Sequence, residues 1–262
     1  MFLFLWLVVS TGVMNWHLKA KGPMELEINC VGKCDIETVG GDEITLKVQS
    51  PDSLKSLFGI KEEKGKITCG ILSEMKKDVE LPEGLKEFFK LFSDSVYLKV
   101  GIPKKVRFVG VEVNSGTSKI NMELKKYNIM NLWINVGAGN VNVSFLKKNK
   151  FKGGGIQVNA GGGTVVLIKP ENFRADTLSI FAGASNITLD FYKRPYIVPT
   201  HMYIESAVSS YTILLPDNLK CFAKKEGVLN LKNMEACKNS ENPDLIIHLE
   251  SALSSVNVIR KK

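Results

Sequence analysis

From Val111 onward, apolar and polar residues alternate in short runs, and the runs repeat. When Gly116, Gly137, Gly161, Gly183, Ala207 and Ala252 are placed in one column, the spacings are 21, 24, 22, 24 and 45 residues. Apolar side chains stand five, three and one positions before each small residue, then four, six and eight after it, except at Ser115, Lys169, Ser206, Ser251 and Arg260. In the second repeat these are Leu132, Ile134 and Val136, then Val141, Val143 and Phe145. In the fourth they are Leu178, Ile180 and Ala182, then Ile187, Leu189 and Phe191. The positions between them are mostly polar, among them Glu112, Asn114, Asn121, Asn135, Asn142 and Asp190.

Alternation with a period of two on both sides of a break means two strands, each with one buried face. The phase changes across the break, as a turning chain requires, and glycine suits such a corner because it reaches positive φ without a Cβ clash. One strand–corner–strand unit cannot bury its own face. Stacked at about 4.8 Å, such units share a continuous core, and six would make a rod roughly 25–30 Å long. The pattern therefore predicts an all-β chain: a single-stranded β-solenoid, or β-helix, with about six or more coils of 21–24 residues. A β-sandwich of short strands is the rival arrangement.

The register breaks between Leu215 and Ile247, where residues 227–231 read as a degenerate coil. Before the repeats, Leu26, Ile28 and Cys30, then Ile44, Leu46 and Val48, alternate as strands. Residues 82–92 predict one short helix, with Leu85, Phe88, Phe89 and Phe92 on a single face to cap the open end of the stack. Three parts follow: a hydrophobic anchor or signal-like segment (1–21), N-terminal β coils with the helix (22–109) and the repeat solenoid (110–262).

The first part holds an uncharged apolar run from Phe2 to Met14, short for a membrane span. No basic residue precedes it, so three readings stay open: an uncleaved anchor, a signal whose start lies upstream, or a buried first strand. The protein is expected to be membrane-anchored or exported, with the cytoplasmic side as the alternative, because Lys19 and Lys21 follow the run. Five cysteines leave at least one unpaired. Cys221 and Cys237 suit either a disulfide or two buried thiols. Cys30 and Cys34 lack a second pair, and no histidine lies beside a cysteine, so no zinc site is expected.

The stretch VYLKVGIPK at 96–104, followed by VEVNSG at 111–116, resembles the repeat domains of unknown function described as putative adhesins. The runs ESAVSSYTILLP at 205–216 and LESALSSV at 249–256 are similar to the related toast-rack and cell-wall-stress-response domains. The resemblance spans roughly residues 24–260. It implies a β-solenoid tethered at a membrane or exported, without catalysis, and it carries over no catalytic residue. Ala207 and Ala252 at two corners, and the helical insertion, depart from the family pattern.

The candidate chemistry fits binding better than turnover. The outward acids Glu112, Glu123, Asp190, Glu205 and Glu250 are dispersed, and only Glu205 and Glu250 share a column. Glycine triplets at 153–155 and 161–163 read as tight corners, since neither opens a helix or ends in a phosphate-loop signature. Asn114, Asn135 and Asn159 predict a side-chain ladder. Trp133, Phe181 and Tyr203 are candidate contacts for a glycan or partner protein. Asn142 and Asn186 head N-glycosylation sequons. The net charge of +8 comes partly from Lys147, Lys148, Lys150 and Lys152, candidate contacts for an anionic membrane surface or acidic polymer. No catalytic residue, metal, cofactor or nucleic-acid partner is expected. The reading is a non-enzymatic, adhesin-like or structural binding module at a membrane or cell surface. The alternatives are a cytoplasm-facing interaction scaffold linked to envelope stress and, last, a carbohydrate-active enzyme.

Overall fold

The computed structural model describes residues 11–72, 95–232, 237 and 241–261. The expected helix at 82–92, and its capping role, lie outside them. Fourteen strands form one open sheet among the described residues. They are β1 (Thr11–Lys19), β2 (Met24–Val39), β3 (Glu43–Pro51), β4 (Phe58–Glu63), β5 (Lys66–Ile71), β6 (Tyr97–Pro103), β7 (Phe108–Leu124), β8 (Ile129–Phe145), β9 (Gly155–Ile168), β10 (Thr177–Asp190), β11 (Thr200–Ser206), β12 (Ser210–Pro216), β13 (Cys221–Lys232) and β14 (Leu245–Lys261).

The predicted strand–corner–strand units lie parallel and in register on one another, each a single long bent strand except the fifth, which is split at its corner into β11 and β12. Val113 pairs with Ile134, Ile134 with Val158, Val158 with Ile180, and Ile180 with Ile204. The second halves match too, from Met122 and Val143 to Leu167 and Leu189. Both halves turn their apolar side chains into a single buried cluster. The burial phase flips at each corner: in β7, Val111 and Val113 are buried before it, and Ile120, Met122 and Leu124 after it.

Three of the four corner glycines are required for a reason other than the expected one. Gly116, Gly137, Gly161 and Gly183 are not in the positive-φ region. Gly137, Gly161 and Gly183 permit close stacking instead, whereas a Cβ on Gly116 would meet nothing within 4 Å. A Cβ on Gly161 would lie 2.4 Å from the Gly137 carbonyl oxygen, and one on Gly183 would lie 2.5 Å from that of Gly161. Positive φ occurs two residues later, at Gly139 and Gly163.

Both ends of the stack depart from simple repetition. β2 is a further rung: its halves pair with β7 on one side, and with β5 and β6 on the other. Beyond it the pairing becomes antiparallel, with β4 on β5, β3 on β6 and β1 on β3. Part of the apolar N-terminal run is thus strand: Met14, Trp16 and Leu18 pack against the core from β1. At the other end, chain order and spatial order differ. β14 lies between the β11–β12 rung and β13, and among the described residues β13 pairs only with β14. The doubled spacing of 45 residues therefore contains a rung, displaced to the edge of the stack. A disulfide joins Cys221, at its start, to Cys237. Cys30, Cys34 and Cys69 are buried thiols, and burial raises Cys30 and Cys69 well above the usual range.

The connections between rungs all leave from the ends of the second halves, where backbone hydrogen bonds continue the ladder. Leu146 N–H donates to Leu124, Lys169 to Asp190, and Phe191 to Leu214. Buried side chains pin these returns: Asn149 Oδ1 accepts from Ile129 N–H at 3.1 Å, and Asn172 Nδ2 donates to the Phe145 carbonyl at 2.7 Å. Tyr127, Phe145 and Phe173 pack beneath, with ring centroids 5.7–6.3 Å apart.

Glu171 is buried in the 3-10 turn Pro170–Phe173, and its Oε1 accepts from Tyr192 N–H at 3.3 Å. Burial pushes its carboxyl up to about 7 from an ordinary 4.5, against smaller opposing effects of Lys193 and Lys261. An acid raised in the folded state binds its proton there before it does in the unfolded chain, so stability falls as pH rises from 4.5 through about 7. Glu171→Gln keeps the acceptor and removes this loss. Thermal unfolding should show the variant gaining stability over wild type at pH 8 and matching it at pH 4.

Candidate functional site

Outward side chains fall into columns because the rungs are in register. One column lies two residues before the corners. In spatial order it reads Asn29, Asn114, Asn135, Asn159, Phe181, Glu205, Glu250 and Glu226. A groove of about 1330 Å³ follows it, floored by the small corner residues. Close backbone stacking and the groove have the same origin, since the residues that let rungs approach also leave the corner without side-chain bulk.

The asparagine ladder is present and longer than expected. Asn114 Nδ2 donates to Asn29 at 3.3 Å, Asn135 to Asn114 at 2.9 Å, and Asn159 to Asn135 at 2.6 Å. Asn135 also donates to Glu112 Oε1, and Gln157 donates to Asn159. Lys66 lies 2.5 Å from Glu27 and 4.0 Å from Glu112. Burial alone would raise the Glu27 carboxyl, but Lys66 and Asn29 outweigh it and hold it below its ordinary value. This end of the groove satisfies itself.

The other end differs. Phe181 interrupts the ladder at 37% exposure, and three carboxylates follow on adjacent rungs. The acids are less dispersed than the sequence predicts, because displaced β13 sets Glu226 beside Glu250. In the flanking column Tyr203 faces His248 across the strands, the rings nearly parallel with centroids 4.6 Å apart. His248 in turn meets His201, Nε2 to Nδ1, at 3.3 Å. The His201 and His248 centroids are 5.6 Å apart with an interplanar angle of 17°, and the facing ring nitrogens are placed so that one can donate to the other. Burial chiefly, with His201 and Lys224, lowers the His248 pKa. Tyr203 is 41% exposed and borders a smaller recess with Glu205, His248 and Glu250.

Of the three aromatic candidates, Phe181 and Tyr203 lie at this end. Trp133 is half-buried: a Cβ on Gly110 would come within 2.3 Å of its ring, so its indole covers the neighbouring rung. Asn142 and Asn186 are exposed. Lys147, Lys148, Lys150 and Lys152 are also exposed, on the return edge away from the groove, and Lys150 reaches the Lys104 carbonyl. Among the described residues, no three His, Cys, Asp or Glu side chains are arranged to hold a metal. Nor is any helix there long and apolar enough to cross a membrane.

No family model and no curated protein sequence matches the chain. Among solved structures it is similar to a putative adhesin from Bacteroides fragilis, at 10% identity and a TM-score of 0.48, over 96% of this chain and 99% of that one. It is also similar to a putative cell adhesion protein from Clostridium sporogenes (14%, TM-score 0.42, over 96% and 100% of the two chains). A third likeness is to a putative adhesin from Parabacteroides distasonis (14%, TM-score 0.37, over 95% and 97%).

Proposed function

We propose that the bent rungs are coils of a β-solenoid and that the chain is a non-enzymatic, adhesin-like module which lays an extended glycan along its corner groove. The observation that carries this reading is the exposure of Phe181 and Tyr203 beside a row of acceptors repeated once per rung, about 4.8 Å apart. Aromatic faces cover the apolar faces of sugar rings, and carboxylates and carboxamides accept from hydroxyl groups. Glu205, Glu250 and Glu226 are all exposed. A glycosidase acid is held protonated in a dry setting, so the row supports binding over hydrolysis. The Cys221–Cys237 disulfide supports a place outside the reducing cytoplasm.

The test is affinity electrophoresis in gels containing a panel of neutral and amino-sugar polysaccharides. At least one should retard the protein, and Phe181→Ala with Tyr203→Ala should weaken that binding about tenfold or more without changing the unfolding midpoint. Binding unaltered in the double variant would reject the groove.

A further inference from the structure

A second surface lies on the return edge, away from the groove. Residues 191–199 link β10 to β11, and cations from three other segments gather around their two tyrosines. Lys148 Nζ stands 4.4 Å from the Tyr196 ring centroid, Lys193 Nζ 5.3 Å and Arg174 Cζ 5.5 Å. Lys169 Nζ is 4.7 Å from the Tyr192 centroid, and Lys261 Nζ is 3.8 Å from it. Lys261 is neutralised by Asp190, and Arg194 by buried Asp244. Lys148, Lys169, Arg174 and Lys193 have no carboxylate at ion-pair distance among the described residues. The nearby Glu171 is buried, and burial shifts its carboxyl toward the neutral form. Burial would raise the Tyr196 phenol, yet Lys148 and Lys193 outweigh it and hold it below its usual value.

Like charges converging from separate segments repel one another, and the arrangement gains most when an anion covers them. The loop also exposes apolar surface: Val198 is 50% exposed and Tyr192 53%. A soluble polyanion needs only the cations. Cations ringing an exposed valine and two tyrosines match the boundary between headgroups and acyl chains, where amphipathic rings settle and each lysine or arginine adds attraction to anionic lipid.

We propose that the loop at residues 191–199, with its own Lys193 and with Lys148, Lys169 and Arg174 around it, docks on an anionic lipid bilayer. The assignment does not depend on what the groove binds.

Co-sedimentation of the full chain with vesicles of phosphatidylglycerol and phosphatidylcholine, against phosphatidylcholine alone, tests it. The readout is the difference between the two vesicle types, since the apolar run at 2–14 is common to both. Wild type should prefer the anionic vesicles. Lys148→Ala with Lys193→Ala should weaken that preference about thirtyfold, at about a factor of five per cation. Val198→Asp should also weaken it, with the unfolding midpoint unchanged, while the Phe181/Tyr203 double variant should bind vesicles as wild type does. No preference for anionic vesicles, or one untouched by the lysine changes, overturns the proposal. So does displacement by inorganic polyphosphate with Val198→Asp without effect, which would make the surface a receptor for phosphate polymers in solution.

Discussion

Replacing Gly161 with alanine is expected to lower stability by about 2–3 kcal/mol, whereas Gly162→Ala, one residue on, should stay within about 0.5 kcal/mol of wild type. The two glycines share a corner and neither has positive φ, so backbone freedom does not separate them. Their surroundings do. A Cβ on Gly161 would meet the Gly137 carbonyl oxygen at 2.4 Å, and the residues on either side of Gly137, Val136 and Ala138, are each paired with both adjacent strands. A Cβ on Gly162 finds its nearest neighbour at 3.7 Å. Urea denaturation of the two variants checks this. Equal stability would mean that the rungs can part at the corner, and the groove floor with them.

The second large effect lies at the displaced rung. Cys221→Ser with Cys237→Ser should destabilise the chain by about 3 kcal/mol, the amount expected for closing a loop of about 15 residues in the unfolded state. The measured separation is 16 residues. Among the described residues β13 has β14 on one side and no strand on the other, so the crosslink holds an edge that the ladder secures incompletely. Denaturation with and without a thiol reductant should give the same difference for wild type and none for the double serine variant. In the folded chain Cys30, Cys34 and Cys69 should resist alkylation, since all three are buried and burial disfavours the thiolate at Cys30 and Cys69.

What could be read from the sequence followed from periodicity. The ladder through Asn114, Asn135 and Asn159 was legible because alternation fixes the face and repeat length fixes the neighbour. Asn29 belongs to the same ladder, but the register shift between Cys30 and Gly32 takes β2 out of phase with the later repeats. Glu226 escaped because its strand pairs out of chain order, which no spacing encodes. The cation ring around Tyr196 escaped for another reason. It is assembled from connecting segments, and loops carry no period. The lysines were visible as charge, but the tyrosine that collects them was not.

The displaced rung also bears on how the chain is made. During synthesis β13 emerges before the strand it must join, and β14 has to enter between two segments already outside the ribosome. Every earlier rung from β7 to β12 can add to a finished template as it appears. The last two must wait for each other, so β13 stays an unpaired edge until β14 has emerged, and a stop codon within β14 would take away the strand that β13 joins.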